Sequence, residues 1–236
     1  MSDPYLLLWL EAPLQSWGHD SKFGRRDSLD FPTKSGVLGL LCCARGAGGE
    51  EAPWLSEWTD LDMQVIAYVP QDRNGNAQHR QPLLMDFHMV GSGYDDRDPW
   101  ESLLIPKTSD GKKAVGGGTK MTYRYYLQEM AYAVAMQAPA TMVDEAAQAL
   151  ANPVWDLYLG RKNCVPIEFI FQGVFDTAEQ ALQAAGVLAT EKKRAFSFRA
   201  LQGEHEGEVL TLNDVPLQFG VHKKYRDRRV TVQKRE

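Results

Sequence analysis

Phe31-Pro-Thr-Lys-Ser-Gly-Val-Leu-Gly-Leu-Leu41 constrains this chain more than any other stretch, read with Pro13-Leu-Gln-Ser-Trp-Gly18 just upstream. Pro32 and Thr33 stop an extended segment, and Ser35 or Thr33 then caps a helix that buries Val37, Leu38, Leu40 and Leu41. Such a helix start presents free N–H groups and the positive end of a dipole, here with Lys34 beside it. It therefore reads in two ways, as an ordinary helix packed on a sheet or as a seat for a phosphate. Gly36 and Gly39 leave one side of the first turns bare, so that another backbone can come close.

Upstream, Tyr5–Leu10 is an apolar run of strand length. Glu11-Ala-Pro13 ends it, and a polar loop with one large flat ring follows at Gln15, Ser16 and Trp17. Lys22, Arg25 and Arg26 come next around Phe23, with Asp20, Asp27 and Asp30 interrupting the positive charge. Cations for phosphates and flat side chains for bases are the means by which single-stranded nucleic acid is bound. Trp17 is open to a second reading, a core anchor under the loop, because tryptophans bury easily. Tyr158-Leu-Gly-Arg161-Lys162 offers a similar pairing of ring and charge. A Gly-Arg-Lys turn clamps a phosphate, or is simply solvated.

A chain of 236 residues buries a sizeable core and makes one large domain or two small ones. Its net charge of −5 argues against a free-standing, nonspecific nucleic-acid binder. The charge is uneven, however. Acids gather at Glu50–Asp62, Asp95–Glu101 and Glu204–Glu208; bases gather at Lys22–Arg26, Lys107–Arg124, Lys192–Arg199 and Lys223–Arg235. Solvated faces are the usual fate of such runs, and the alternation also suits a subunit with RNA on one side and proteins on another. Cys42, Cys43 and Cys164 give no disulfide framework and no CxxC pair. With no signal peptide and no apolar segment of membrane length, a soluble cytoplasmic protein without a membrane partner is expected.

The periodicity predicts strands at Tyr5–Leu10, Met63–Val69, Tyr132–Gln137 and Ile167–Phe171, and helices at Ser35–Ala44, Val143–Ala151 and Thr177–Ala189. Ala195–Arg199 alternates, and Val209–Val232 reads as further strands. Residues 71–122 are loose and glycine-rich, with Asp86–Val90 and Met121–Leu127 placed to pair as hairpin arms. The order suits an α+β fold with a ferredoxin-like (RRM-like) sheet. The expected division is an RRM-like domain over 1–175, interrupted by the insertion 71–122, and a helix-and-strand extension over 176–236.

Enzyme signatures are poor. The five histidines are scattered with no HxH, HExxH or His–Cys pair at ligand spacing, and Gly116-Gly-Gly-Thr-Lys120 lacks P-loop order. Asp86 and the acidic run at Asp95, Asp96 and Asp98 could suggest carboxylate metal binding, but a flexible acidic loop is the commoner explanation. No catalytic residue, metal or cofactor is expected.

Pro13–Gly18, Pro32–Leu41 and Tyr158–Pro166, in that order and spacing, resemble the CasD family, the RNA-capping subunit of the type I-E CRISPR surveillance complex Cascade. Pro216-Leu-Gln-Phe219 followed by basic residues also fits, so the resemblance runs from Tyr5 to Val232. It implies a non-catalytic antiviral subunit that holds the 5′ repeat-derived handle of a guide RNA. It implies three further partners: the repeated backbone subunit, the large DNA-recognition subunit and, indirectly, target DNA. On this reading Lys34 and the N–H groups near Ser35–Val37 hold one phosphate, with Thr33 and Gly36 counted in the same RNA-binding segment, and Arg25, Arg26, Arg161 and Lys162 hold others. Trp17 and Tyr158 stack, while Gln15 and Ser16 read base edges. The insertion becomes a thumb whose Lys112, Lys113, Lys120 and Arg124 reach RNA and a neighbouring subunit. The alternative is a metal-independent endoribonuclease, since type I-C relatives cut repeat RNA with a tyrosine, a lysine and an adjacent histidine. Here Lys120 is followed by Met121, and lysine and tyrosine, as residue types that ordinarily ionise at about 10, make Lys120 and Tyr123 a poor pair for proton transfer.

Overall fold

A computed structural model describes residues 3–19, 21, 24–90, 97–98, 100, 108–112 and 120–234. Strand β1 (Tyr5–Glu11) is buried at all but its first residue. Leu6, Leu8 and Leu10 enter one core layer while Leu7 and Trp9 enter a second, so the unbroken apolar run reflects burial on both faces.

Two short strands follow, β2 (Leu14–Gln15) and β3 (Arg25–Arg26), then helix α1 (Lys34–Ala44), helix α2 (Ala52–Ser56) and strand β4 (Met63–Pro70). The insertion contributes β5 (Leu84–Val90) and β6 (Lys120–Gln128). Next come β7 (Ala131–Gln137), α3 (Val143–Ala151), β8 (Phe171–Phe175), α4 (Ala178–Glu191), β9 (Arg194–Gln202), β10 (Glu208–Gln218) and β11 (Lys224–Lys234). Seven strands form one antiparallel sheet in the order β10-β11-β9-β4-β7-β1-β8. The boundary expected after residue 175 falls between β8 and α4, and the strands beyond it extend the same sheet.

Helices α1 and α3 cover one face through Val37, Leu38, Leu41, Val143, Ala146 and Leu150. Helix α4 covers the other, where Ala181, Ala185 and Ala189 lie on Ala131, Ala133 and Ala135 of β7. Small residues on both sides explain why an alanine-rich helix packs closely there.

A second sheet is built around β6. Strand β5 pairs with it antiparallel over its length, Leu84 opposite Tyr126 and Val90 opposite Lys120. On the other edge β3 pairs in parallel, Arg25 opposite Tyr123, and β2 pairs antiparallel at Leu14 and Gln15. Tyr126 and Leu127 are buried at the root of the hairpin, while Met121 and Tyr123 stand in solvent.

The strand expected at Ile167–Phe171 is shifted to Phe171–Phe175. Residues 167–170 only touch β1, through the Ile167 N–H to the Glu11 carbonyl (3.0 Å) and the Trp9 N–H to the Ile170 carbonyl (2.7 Å). The apolar alternation is real, but Ile167 and Phe169 point outward. No helix among the described residues is long and apolar enough to cross a membrane.

Candidate nucleic-acid interface

The N-terminus of α1 is already occupied from within. Thr33 is the cap, its Oγ1 accepting the Gly36 N–H at 3.1 Å. The Lys34 N–H donates to Asp214 Oδ2 at 2.8 Å, and Asp214 also receives two bonds from Arg228, at 2.7 and 2.9 Å. A carboxylate from β10 thus sits where the notional phosphate would. The Lys34 side chain is fully buried and gives its ammonium to the carbonyls of Thr59 (2.9 Å) and Leu61 (2.5 Å). Burial, reinforced by the Arg228 charge, pushes its pKa down to about 8. This corrects the phosphate-holding role expected of Lys34 and Thr33; both are internal, and Ser35 leans back on Thr33 Oγ1 at 3.3 Å.

Gln15, Ser16 and Trp17 are corrected in the same sense, since all three are buried. Gln15 Nε2 donates to the carbonyls of Leu10 (3.1 Å) and Met130 (2.8 Å), and its Oε1 accepts from Trp17 Nε1 at 3.2 Å. Ser16 Oγ donates to the Tyr125 carbonyl at 3.1 Å. The Trp17 ring lies over Gly36, where a Cβ would come within 2.8 Å of it. Trp17 is therefore the core anchor, and Gly36 makes room for it rather than for a ligand. The polar loop ties β1, β6 and α1 together because its side chains satisfy backbone groups that the short strands leave unpaired.

What this scaffold presents outward is a cluster of charge. The Ser16 N–H donates to the Leu159 carbonyl at 3.2 Å, so the loop at Tyr158–Asn163 is docked on the Pro13–Gly18 segment. Arg161 then reaches across: one Nη donates to the Tyr125 carbonyl (3.2 Å), the other to the Arg26 carbonyl (2.8 Å), with the guanidinium 4.5 Å from the Tyr126 ring centre. Asn163 Nδ2 donates to the Tyr126 hydroxyl at 3.2 Å. Around these contacts His88, Arg124, Tyr158, Gly160, Arg161, Lys162 and Asn163 line an open cleft of about 510 Å³. Arg26 pairs with Arg124 in the β3–β6 register and stands beside it, exposed like Lys162. Arg25 points to the other face of that sheet, paired with Asp27 (2.8 Å) and stacked 4.8 Å from the centre of Tyr125.

Sequence reasoning missed His88, Asp86 and Asn163. His88 Nε2 is hydrogen-bonded to Asp86, and alternation along β5 sets both on the face that carries Thr122 and Arg124. The opposite face carries Met85, Phe87, Met89, Met121 and Tyr123, so Tyr123 is turned away from the cleft. Of the thumb residues, Arg124 is at the cleft and Lys112 is exposed with Asp110 3.4 Å away. Lys120 begins β6, while Lys113, like Lys22 and Phe23, lies outside the described residues. Among the described residues no three His, Cys, Asp or Glu side chains are grouped to hold a metal ion.

Comparison with known proteins agrees with this architecture. The chain is 29% identical over 181 residues to the CRISPR system Cascade subunit CasD of Escherichia coli (strain K12), covering 74% of this chain and 73% of that one. A solved chain from a CRISPR RNA-guided surveillance complex superposes with a TM-score of 0.70 at 29% identity, over 98% of this chain and 89% of the other. A crystal structure of a Cas protein shares the fold, with a TM-score of 0.60 at 24% identity over 98% and 94% of the two chains. The model of the family described as CRISPR-associated protein (Cas_Cas5) matches residues 5–231, and the chain belongs to that family.

Proposed function

We propose that this chain is a non-catalytic subunit of a CRISPR RNA-guided surveillance complex, holding the 5′ repeat-derived handle of the guide RNA and capping the complex's backbone. Its similarity to a Cascade subunit and to a chain of an RNA-guided surveillance complex supports membership of the complex. The observation that carries RNA holding is the open cleft where Arg124, Arg161 and Lys162 converge, with Arg26 next to Arg124 in the β3–β6 register, despite a net charge of −5. The spatial order β4-β7-β1-β8, with α1 and α3 on one face, supports an RRM-like first half that presents the cleft at its edge. The β5–β6 hairpin is then the thumb, meeting RNA with its polar face and the adjoining backbone subunit with its apolar one. The large DNA-recognition subunit is the remaining neighbour.

Purifying the tagged chain from cells carrying its neighbouring genes, and sequencing the bound RNA with its ends preserved, tests the reading. RNAs sharing one 5′ stub and differing beyond it are expected; RNA-free protein would overturn it. Roughly four phosphate contacts predict a log–log salt slope of about −3 for the stub.

One observation favours a second reading. His88, held by Asp86, gives the cleft a group suited to proton transfer, which the endoribonuclease alternative requires. Cleavage of repeat RNA in the presence of a chelator, lost on His88→Ala, would establish that alternative; intact RNA would dismiss it.

A further inference from the structure

The cationic cleft has an apolar neighbour that no motif announced. Cys43, Trp155, Tyr158, Lys162, Val165 and Pro166 are among the residues lining a second cleft, of about 890 Å³. Tyr158 and Lys162 line both clefts and form the wall between them. Trp155 is half exposed there, although the chain around it is firmly placed. The Val154 N–H donates to the Ala44 carbonyl at 2.8 Å, and its methyl groups press on Gly46, where a Cβ would come within 2.6 Å. Cys43 Sγ donates to the Asp156 carbonyl at 3.5 Å. The indole is thus carried on a segment pinned to the C-terminal end of α1, with its own ring left partly uncovered.

Charge on one side of a shared wall and an uncovered flat ring on the other suit one ligand, a nucleotide. Its phosphate needs cations and its base needs an apolar π-surface, and the two are joined by a single sugar. We infer that the Trp155 cleft is a nucleobase pocket, in which a base of a single-stranded RNA stacks on the indole while its flanking phosphates lie against Lys162 and the cationic cleft. This rests on the RNA-holding reading above and adds to it a base subsite. Stacking on a ring is tolerant of sequence, so the subsite holds a base in place rather than identifying it.

The test uses the full-length chain with two labelled probes, an adenylate octanucleotide RNA and its abasic ribose–phosphate counterpart. Wild type is expected to bind the octanucleotide about tenfold more tightly than the abasic chain. Trp155→Ala should erase that difference without weakening the abasic probe, and Trp155→Phe, which keeps a ring, should restore most of it. A Trp155→Ala chain that still prefers the octanucleotide would overturn the pocket while leaving RNA holding intact. Binding of neither probe by wild type would overturn both readings together.

Discussion

Gly160 lies so close to Ser16 that a Cβ at 160 would stand 1.7 Å from the Ser16 carbonyl oxygen. Two segments more than a hundred residues apart in sequence are thereby held backbone to backbone, and the cationic loop inherits its position from that contact. Gly160 also adopts φ +92°, a conformation that side chains disfavour. Both partners are main chain, so no rotamer change relieves the clash. Gly160→Ala is expected to cost roughly 2–5 kcal/mol, read as a lowered urea midpoint. An unchanged midpoint would mean that the loop can lift off without consequence.

The buried Lys34 predicts a specific pH dependence. Its folded pKa of about 8 lies below its ordinary 10.5, so the unfolded chain binds the proton more tightly. The penalty for keeping Lys34 charged is present in full below pH 8 and is relieved as pH rises from 8 to 10.5. Over that window the stability of wild type relative to Lys34→Met should therefore rise, by up to roughly 3 kcal/mol. Parallel denaturation series of the two proteins check it; the subtraction removes the tyrosines and cysteines whose raised pKa values act in the opposite direction.

Asp214 is the counter-charge to two buried cations, and its loss should be felt through both. Arg228 and Asp214 are almost wholly buried, and Lys34 lies beside them. Asp214→Ala leaves the Lys34 N–H uncapped and the two cations without their shared carboxylate, at an expected cost of about 3–5 kcal/mol. Asp214→Asn keeps an acceptor for the N–H and should cost less. Adding Lys34→Met to Asp214→Ala should recover part of the loss, and a double-mutant cycle reads that coupling directly.

Most elements were legible because their signals are local. β1, β4, β7, α1, α3 and α4 follow from apolar runs and periodicity; Val143–Ala151 lies where the pattern put it, and the helix expected at Thr177–Ala189 is α4, with Thr177 as its cap rather than its first residue. The shifted β8 was not legible, since outward-facing Ile167 and Phe169 imitate a strand without a partner for both edges. The motif segments are brought together in the structure, but several of the side chains expected to face a ligand are internal. Gln15, Trp17 and Lys34 build the platform, whereas a short polar run looks the same whether it satisfies backbone groups inside or faces a ligand outside. What decides between them is the Asp214 carboxylate, 180 residues downstream, which fills the helix N-terminus. His88 and Arg124 come together only through the β5–β6 register, and that pairing spans an insertion with little periodicity of its own.

Arg161 and Lys162 are adjacent, yet they should fail in different ways. Arg161 spends its fork on the Tyr125 and Arg26 carbonyls and its face on Tyr126, so it fixes β3 and the loop against β6. Lysine cannot reproduce two such bonds and a stacked plane, and Arg161→Lys should behave almost like Arg161→Ala. Both are expected to lower stability by about 1–2 kcal/mol and to weaken RNA binding as the cleft loosens. Lys162 is exposed and makes no such ties. Lys162→Ala should leave the urea midpoint within about 0.5 kcal/mol of wild type and flatten the salt slope by about 0.7, the share of a single phosphate contact. Equal salt slopes for wild type and Lys162→Ala would remove Lys162 from the interface, and full RNA affinity in Arg161→Lys would show that charge alone, not the fork, is what the loop contributes.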